Sequence, residues 1–304
     1  MRPILYFPVK PTPLQMEAGL SPLGRDLGGG ELDRRCFLRD REHERYSNNK
    51  ARVEPTRHWV TWSLGGVELD DLHHSALSTL VTHLEASELP LPQGELNAWR
   101  ATEPVNSPQA RRAAEALYQA IVMSTQEDIT VLARQPTSSL VMGHICTPSF
   151  WDPRHVKNAS FWEIHKPVPG FPRDERVAQR LEEHIARRGP FVRFVWTLSG
   201  DDLLDHHPRH QRIPWSQAQE VWYRVERQIT IPLEGAGAIF LIRTYVHPLS
   251  RLSAEQRATL RVAIELMPRE IADYKGLGGV QDSPRLLSMI SPEIERDERD
   301  KRDI

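Results

Sequence analysis

Apolar residues recur along this chain at two different periods, and the switches between them mark out helices and strands. Leu72, Leu77, Leu80 and Leu84 fall on one helical face and predict a helix over 70–87. Residues 107–128 keep that period, with Ser107 as N-cap and Pro108 in the first helical position. A hydroxyl and a preset φ are what a helix start needs. Residues 173–188 predict a further helix closed by Gly189, and 253–275 a last one with Ser253 and Gln256 in capping-box spacing. Period two takes over elsewhere: a short strand in "RHWVTWSLGG" from Arg57, a buried one in "SLVMGHICTP" and an alternating one in "PFVRFVWTLSG". Residues 221–246 carry two alternating segments around "EGAG", whose glycines accept positive φ, and so predict a β-hairpin. Residues 89–106 read as a loop. Residues 1–50 show proline, glycine and charge without periodicity, and read as exposed or partner-covered connections. The class is α+β, with the strongest strands in the second half.

Within the hairpin's first strand, Trp222, Arg224, Glu226, Gln228 and Thr230 share one face. Tyr223, Val225, Ile229 and Ile231 share the other, interrupted by Arg227. The polar file is either a solvated strand face with cross-strand ion pairs or the wall of a polar cavity. In the second strand Arg243 stands among apolar residues. It must be paired or bind an anion, because an unpaired buried charge is too costly.

Composition removes several classes. A net charge of -2 and no basic stripe give no electrostatic case for nucleic acid. No run reaches the ~18 apolar residues of a membrane helix. The start, "MRPILYFPVKPTP", is broken by lysine and prolines, so it lacks a signal-peptide core and the expectation is a cytoplasmic protein. Two cysteines, Cys36 and Cys146, exclude a disulfide scaffold and a four-cysteine metal site. Cys146, in an apolar run, reads as a small buried hydrophobe. His206, His207 and His210 cluster around Pro208, which blocks a regular helix, and read as a solvated loop. No GxGxxG, Walker or G-x-S-x-G pattern occurs, so the chain shows no nucleotide site of its own. One stretch stands apart: "FWEIHKPVPGF" (161–171) sets a single histidine at the mouth of a turn stiffened by two prolines. The histidine is either a structural turn residue bonded to the backbone or a ligand that must not move.

"QEDITVL" (126–132), "HICTPSFW" (144–151), "IHKPVPGF" (164–171), "VRFVW" (192–196), "RVERQ" (224–228), "IFLIRTYVHPL" (239–249) and "MPREIADYKGL" (267–277) occur in this order. Together they resemble the haem-dependent oxidative N-demethylase family, in particular its haem-carrying catalytic subunit, over about residues 55–278. The resemblance implies a PAS-like α+β fold, a curved antiparallel sheet with flanking helices enclosing one haem b. It places that domain at 56–278, after an extension (1–55) and before a charged tail (279–304). It makes His165 the iron ligand, with His144 in reserve, and sets Phe161, Trp162 and Phe171 against the macrocycle. Arg224, Glu226 and Gln228 are placed near the distal pocket or the haem propionates and become the catalytic candidates. Arg224 is expected to donate toward oxygen, and Glu226 to balance charge, relay protons or pair with an ammonium substrate. Arg193 and Arg243 are candidates for the haem propionates, and Arg227 is counted with them as cofactor-binding. The implied reaction is oxidative N-demethylation of a small amine with O2, or a related oxidation of a C–H bond next to nitrogen. Electrons would come from NAD(P)H through a separate flavin or iron–sulfur reductase subunit, and a homo-oligomer fits as well. Three other readings stay open at this point: a haem-based gas or redox sensor, a haem-free interaction protein, and a haem oxidase of a larger secondary-metabolism substrate.

Overall fold

A computed structural model describes residues 2–14, 18–53, 61–63, 70–102, 107–134, 138–210 and 213–291. Among them seven strands form one antiparallel sheet: β1 (Ser21–Pro22), β2 (Thr61–Ser63), β3 (Asp128–Ala133), β4 (Ser139–His144), β5 (Phe191–Ser199), β6 (Trp222–Pro232) and β7 (Gly237–Pro248). Their order across the sheet is β1-β5-β6-β7-β3-β4-β2. The longest ladder is the hairpin β6–β7, in register from Trp222↔Pro248 to Pro232↔Ala238. Its turn has Gly235 at φ 90, a positive value that the "EGAG" glycines permit, and also Glu234 at φ 50. The start of β7 lies so close to β3 that a Cβ on Gly237 would stand 2.0 Å from the Leu132 carbonyl oxygen. Only glycine fits that approach.

The helices are α1 (His43–Val53), α2 (Asp70–Ala86), α3 (Gln93–Arg100), α4 (Pro108–Ser124), α5 (Phe161–His165), α6 (Glu175–Arg187), α7 (Ala254–Glu265), α8 (Arg269–Tyr274), α9 (Gly278–Gln281) and α10 (Pro284–Ile290). Both expected caps form: Ser107 Oγ accepts from the Ala110 N–H, and Ser253 and Gln256 complete a capping box. Four expectations need correction. The stretch 89–106 is not all loop, because α3 buries Leu96 and Trp99, one helical turn apart, against α2 and α4. The flanking prolines hide two turns of helix. The 253–275 helix is broken at Met267, where Pro268 supplies no N–H and disfavours a helical residue before it. Residues 1–50 contain the start of α1, and Tyr6, Phe37 and Lys50 within them are buried. Residues 278–290, assigned by expectation to the end of the domain and a charged tail, are helical and bury Val280, Leu286 and Ile290.

The two faces of the sheet are covered differently. Ile129, Val131, Ile229, Ile231, Ile239 and Leu241 face α2, α3 and α4 in a continuous apolar core. The opposite face looks toward α5 and α6, which lie in the connection between β4 and β5. A smaller apolar cluster there, with Leu132, Leu140, Ile145 and Phe161, leaves a space beside it.

Candidate functional site

That space is a cavity of about 760 Å³, within the ~300–1,000 Å³ usual for ligand and cofactor pockets. The sheet provides its floor: Thr130 from β3, Arg193 and Val195 from β5, Arg224, Glu226, Gln228 and Thr230 from β6, Phe240 and Ile242 from β7. Antiparallel partners point to the same face, and the pairs Arg193↔Gln228 and Val195↔Glu226 line up accordingly. The polar file of β6 is therefore a cavity wall, not a solvated face. Phe161 and His165 of α5, Phe171, and Ala178 and Ile185 of α6 form the roof, and Tyr274 and Lys275 at the end of α8 line it too.

His165 is fixed from several directions. A capping box starts α5: Ser160 Oγ accepts from the Glu163 N–H at 3.2 Å, and the Glu163 carboxylate accepts from the Ser160 N–H at 2.8 Å. After the helix the chain turns tightly, with the Val168 N–H donating to the His165 carbonyl at 2.9 Å and Gly170 at φ 77. Nδ1 of His165 lies 2.8 Å from the Phe161 carbonyl oxygen, so Nδ1 carries the proton and donates. The ring stacks on Phe171 at 5.3 Å and touches Phe161 at 4.2 Å between centroids. Burial lowers its pKa to about 4. At neutral pH it is an uncharged imidazole whose Nε2 lone pair has no hydrogen-bond partner among the described residues.

On the floor, Glu226 accepts from the Ser149 hydroxyl on one oxygen and from Gln228 Nε2 at 2.8 Å on the other. Ser149 in turn accepts from Arg224 Nε at 2.8 Å. The rest of the Arg224 guanidinium donates to carbonyl oxygens of Leu203 (2.9 Å), Leu204 (2.8 Å) and Thr147 (3.1 Å). Four of its five N–H groups are thus spent inside the protein, and the side chain is 1% exposed. The expected donor toward oxygen is in this geometry a positioning residue for Ser149 and Glu226. Arg193 differs: its Nε has no partner. Burial lowers its pKa and Glu226 acts the other way.

Other expected residues lie elsewhere. Arg227 and Arg243, cross-strand partners, point to the opposite face. Arg227 donates to the carbonyls of Cys36 (3.2 Å) and Arg35 (2.6 Å). Arg243 donates to the Leu38 carbonyl and to Asp40 at 2.7 Å, 3.7 Å from Glu127, with Tyr245 4.7 Å away. Both clamp the 35–40 segment, and strand parity keeps them from the cavity. Trp162 is turned away from the cavity lining and carries Lys166 over its ring at 4.9 Å. His144 pairs with Ile129 and so shares the face of the apolar core. It stands 3.8 Å from Cys146 Sγ, which is fully buried as expected. His144, Cys146 and Asp128 form a close cluster. Both Asp128 oxygens already accept, from the N–H groups of Cys146 and Thr147 and the Thr147 hydroxyl, and the Lys50 ammonium supplies the local positive charge. The histidines of 206–210 each meet their own carboxylate: His206 with Asp201, His207 with Asp152, His210 with Asp205. Ser149, Tyr274 and Lys275 were not singled out from sequence. They stand in "HICTPSFW" and "MPREIADYKGL", but a hydroxyl, a phenol and an amine carry no signal until the fold brings them to one cavity.

A sequence model of the family described as haem-dependent oxidative N-demethylase, alpha subunit-like, matches residues 93–283. The chain belongs to this family. None of the curated proteins compared matches it. The N-demethylase alpha subunit-like match spans α3 to α9 and so includes every strand and helix named above as lining the cavity. The family's haem dependence is consistent with the chemistry of that lining. A neutral imidazole with a free Nε2, aromatic walls and one partnerless guanidinium suit a flat apolar group with a metal centre and acidic substituents. No helix among the described residues is long and apolar enough to cross a membrane.

Proposed function

We propose that this chain is the haem-bearing subunit of an oxidative N-demethylase, with a PAS-like sheet holding a b-type haem in the cavity between the sheet and α5–α6. The observation that carries the reading is His165: its Nδ1–H is committed to the Phe161 carbonyl and its Nε2 is left over, in a ring held by two aromatic neighbours. A metal-bound histidine needs that division of labour between its nitrogens. The long strands β3 to β7 lie in the order β4-β3-β7-β6-β5 with the roof helices inserted between β4 and β5, which supports the PAS-like reading.

Haem, when bound, supplies the redox chemistry with O2 that an N-methyl group requires. The residues of this chain do the rest. Arg193, partnerless beside the cavity, would pair with the propionates. Phe161, Phe171 and Phe240 exclude water. Glu226, held by Ser149 and Gln228, is placed to receive the N–H of an ammonium substrate or to pass a proton at its carboxylate. Arg224 keeps that carboxylate in place through Ser149. The alpha subunit-like description supports a system with a second subunit, and the absence of a nucleotide motif in this sequence is why a reductase would be the source of electrons.

The deciding measurement is a UV–visible spectrum of wild type, His165→Ala and His144→Ala. The expected result is a Soret band in wild type and His144→Ala and its loss or shift in His165→Ala. An unchanged spectrum in His165→Ala would remove the ligand assignment, and a wild type that takes up no haem would remove the function.

A further inference from the structure

We propose that Lys275 is a covalent site for the aldehyde product, which it captures as an imine at the cavity wall. The inference rests on the demethylase reading for the source of the aldehyde: oxidative removal of a methyl group from nitrogen leaves its carbon as formaldehyde, released into the same cavity.

The geometry singles out this lysine among the six of the sequence. Lys275 follows Tyr274, the last residue of α8, and its side chain lines the cavity although the residue is only 8% exposed. Nζ donates to the Trp196 carbonyl at 2.7 Å and lies 5.5 Å from the Trp196 ring centroid. That carbonyl is the one acceptor it meets among the described residues. Lys50 is the contrast: buried as well, it spends its protons on three carbonyls, of Val122 (2.6 Å), Thr125 (3.0 Å) and Glu127 (2.6 Å), and lines no part of the cavity. An amine that donates to three carbonyls has no N–H left for a ligand, whereas one with a single acceptor can give up a proton and keep an N–H for that acceptor. Burial lowers the Lys275 pKa to about 8, against the opposing pull of Glu226 and with the help of Arg193. At pH 7 roughly a tenth of it is free amine, about two orders of magnitude more than for an unperturbed lysine.

The step balances without an oxidant. The Nζ lone pair attacks the carbonyl carbon, a C–N bond forms, and the oxygen takes a proton to give a carbinolamine. The C–O bond then breaks, the nitrogen loses its remaining proton to the departing hydroxide, and an imine and one water result. Water reverses the step, so the carbon is held and not lost.

The test supplies formaldehyde from outside to the purified full chain as isolated, with cyanoborohydride to convert each imine to N-methyl-lysine, and maps the methyl groups by peptide mass spectrometry. At pH 7 Lys275 is expected to be labelled roughly ten-fold or more faster than the exposed Lys10, Lys157 and Lys166. Its labelling should be half-maximal near pH 8, with Lys50 unlabelled. Labelling of Lys275 no faster than of the exposed lysines overturns the proposal. Lys275→Arg should lose the dominant label and keep the others, and if that variant does not fold the wild-type map decides alone. Because the aldehyde is added, the outcome is independent of the demethylase reading. A selectively labelled but catalytically inert protein keeps the site and removes the function, while an active demethylase with unlabelled Lys275 does the reverse.

Discussion

Arg224 illustrates how a cavity-lining residue can act without touching a ligand. Its guanidinium joins the 147–149 and 203–204 segments and holds the hydroxyl that holds Glu226. Arg224→Met keeps much of the volume but strands several buried acceptors. Hydrogen bonds to a charged donor are worth about 1.5–3 kcal/mol each, and an orphaned buried partner costs as much again. The expected loss is about 3 kcal/mol or more by urea denaturation. A variant that keeps wild-type stability would contradict the positioning role. Arg193→Met, by contrast, removes a side chain whose Nε is partnerless, and it should weaken haem retention far more than stability. Equal losses of both would place Arg193 in the fold and not at the ligand.

At the scale of one element, α5 is five residues long, too short to be stable by its own hydrogen bonds. Its capping box and the tight turn behind it hold His165 in place. Ser160→Ala removes one half of that box and should cost about 1 kcal/mol. Because the sheet and α6 do not depend on Ser160, the fold should survive while the histidine loses its fixed direction. The expected outcome is faster transfer of haem to an apo-globin scavenger with a nearly unchanged unfolding midpoint. An unchanged transfer rate would show that the turn alone sets the ring.

Across the whole molecule, burial keeps several histidines neutral, and this makes stability depend on pH. His247 is the cleanest case. Its Nε2–H donates to the Ile4 carbonyl at 3.2 Å and its Nδ1 accepts from Arg251 at 3.0 Å, so no site is left for a second proton. Burial, and then Arg251, lower its pKa to about 4 from an unfolded value of 6.5. Between those values the unfolded chain binds the proton and the folded chain does not, so stability falls as pH drops from 6.5 to 4 and then levels off. His165 acts in the same sense. Asp128 and Glu182, whose carboxyl pKa values burial raises, act in the opposite one. The difference between proteins isolates the histidine: His247→Gln should show a flatter thermal midpoint from pH 6.5 to 4 than wild type. Parallel curves would mean that His247 is protonated in the folded state.

Periodicity by itself determined the α+β class, the hairpin around "EGAG", the caps at Ser107 and Ser253, and which residues of β6 share a face. These are local properties, set by side-chain alternation, the φ range of glycine and the valence of a helix end. The family pattern added His165 as the candidate ligand. Tertiary structure alone decided which of two polar sets faces a cavity. Arg224 and Arg227 are three residues apart and so lie on opposite faces of β6 by alternation, but only the packing of α2, α3 and α4 on one side of the sheet, with α5–α6 standing off from the other, makes the Arg224 face a cavity wall. It also decided that the Arg224 donors are already spent, that His144 belongs to the core, and that Lys275, more than 100 residues from His165 in the chain, reaches the same space. Partners of a buried charge are distant in sequence, and burial, not residue type, sets what each group can still bind.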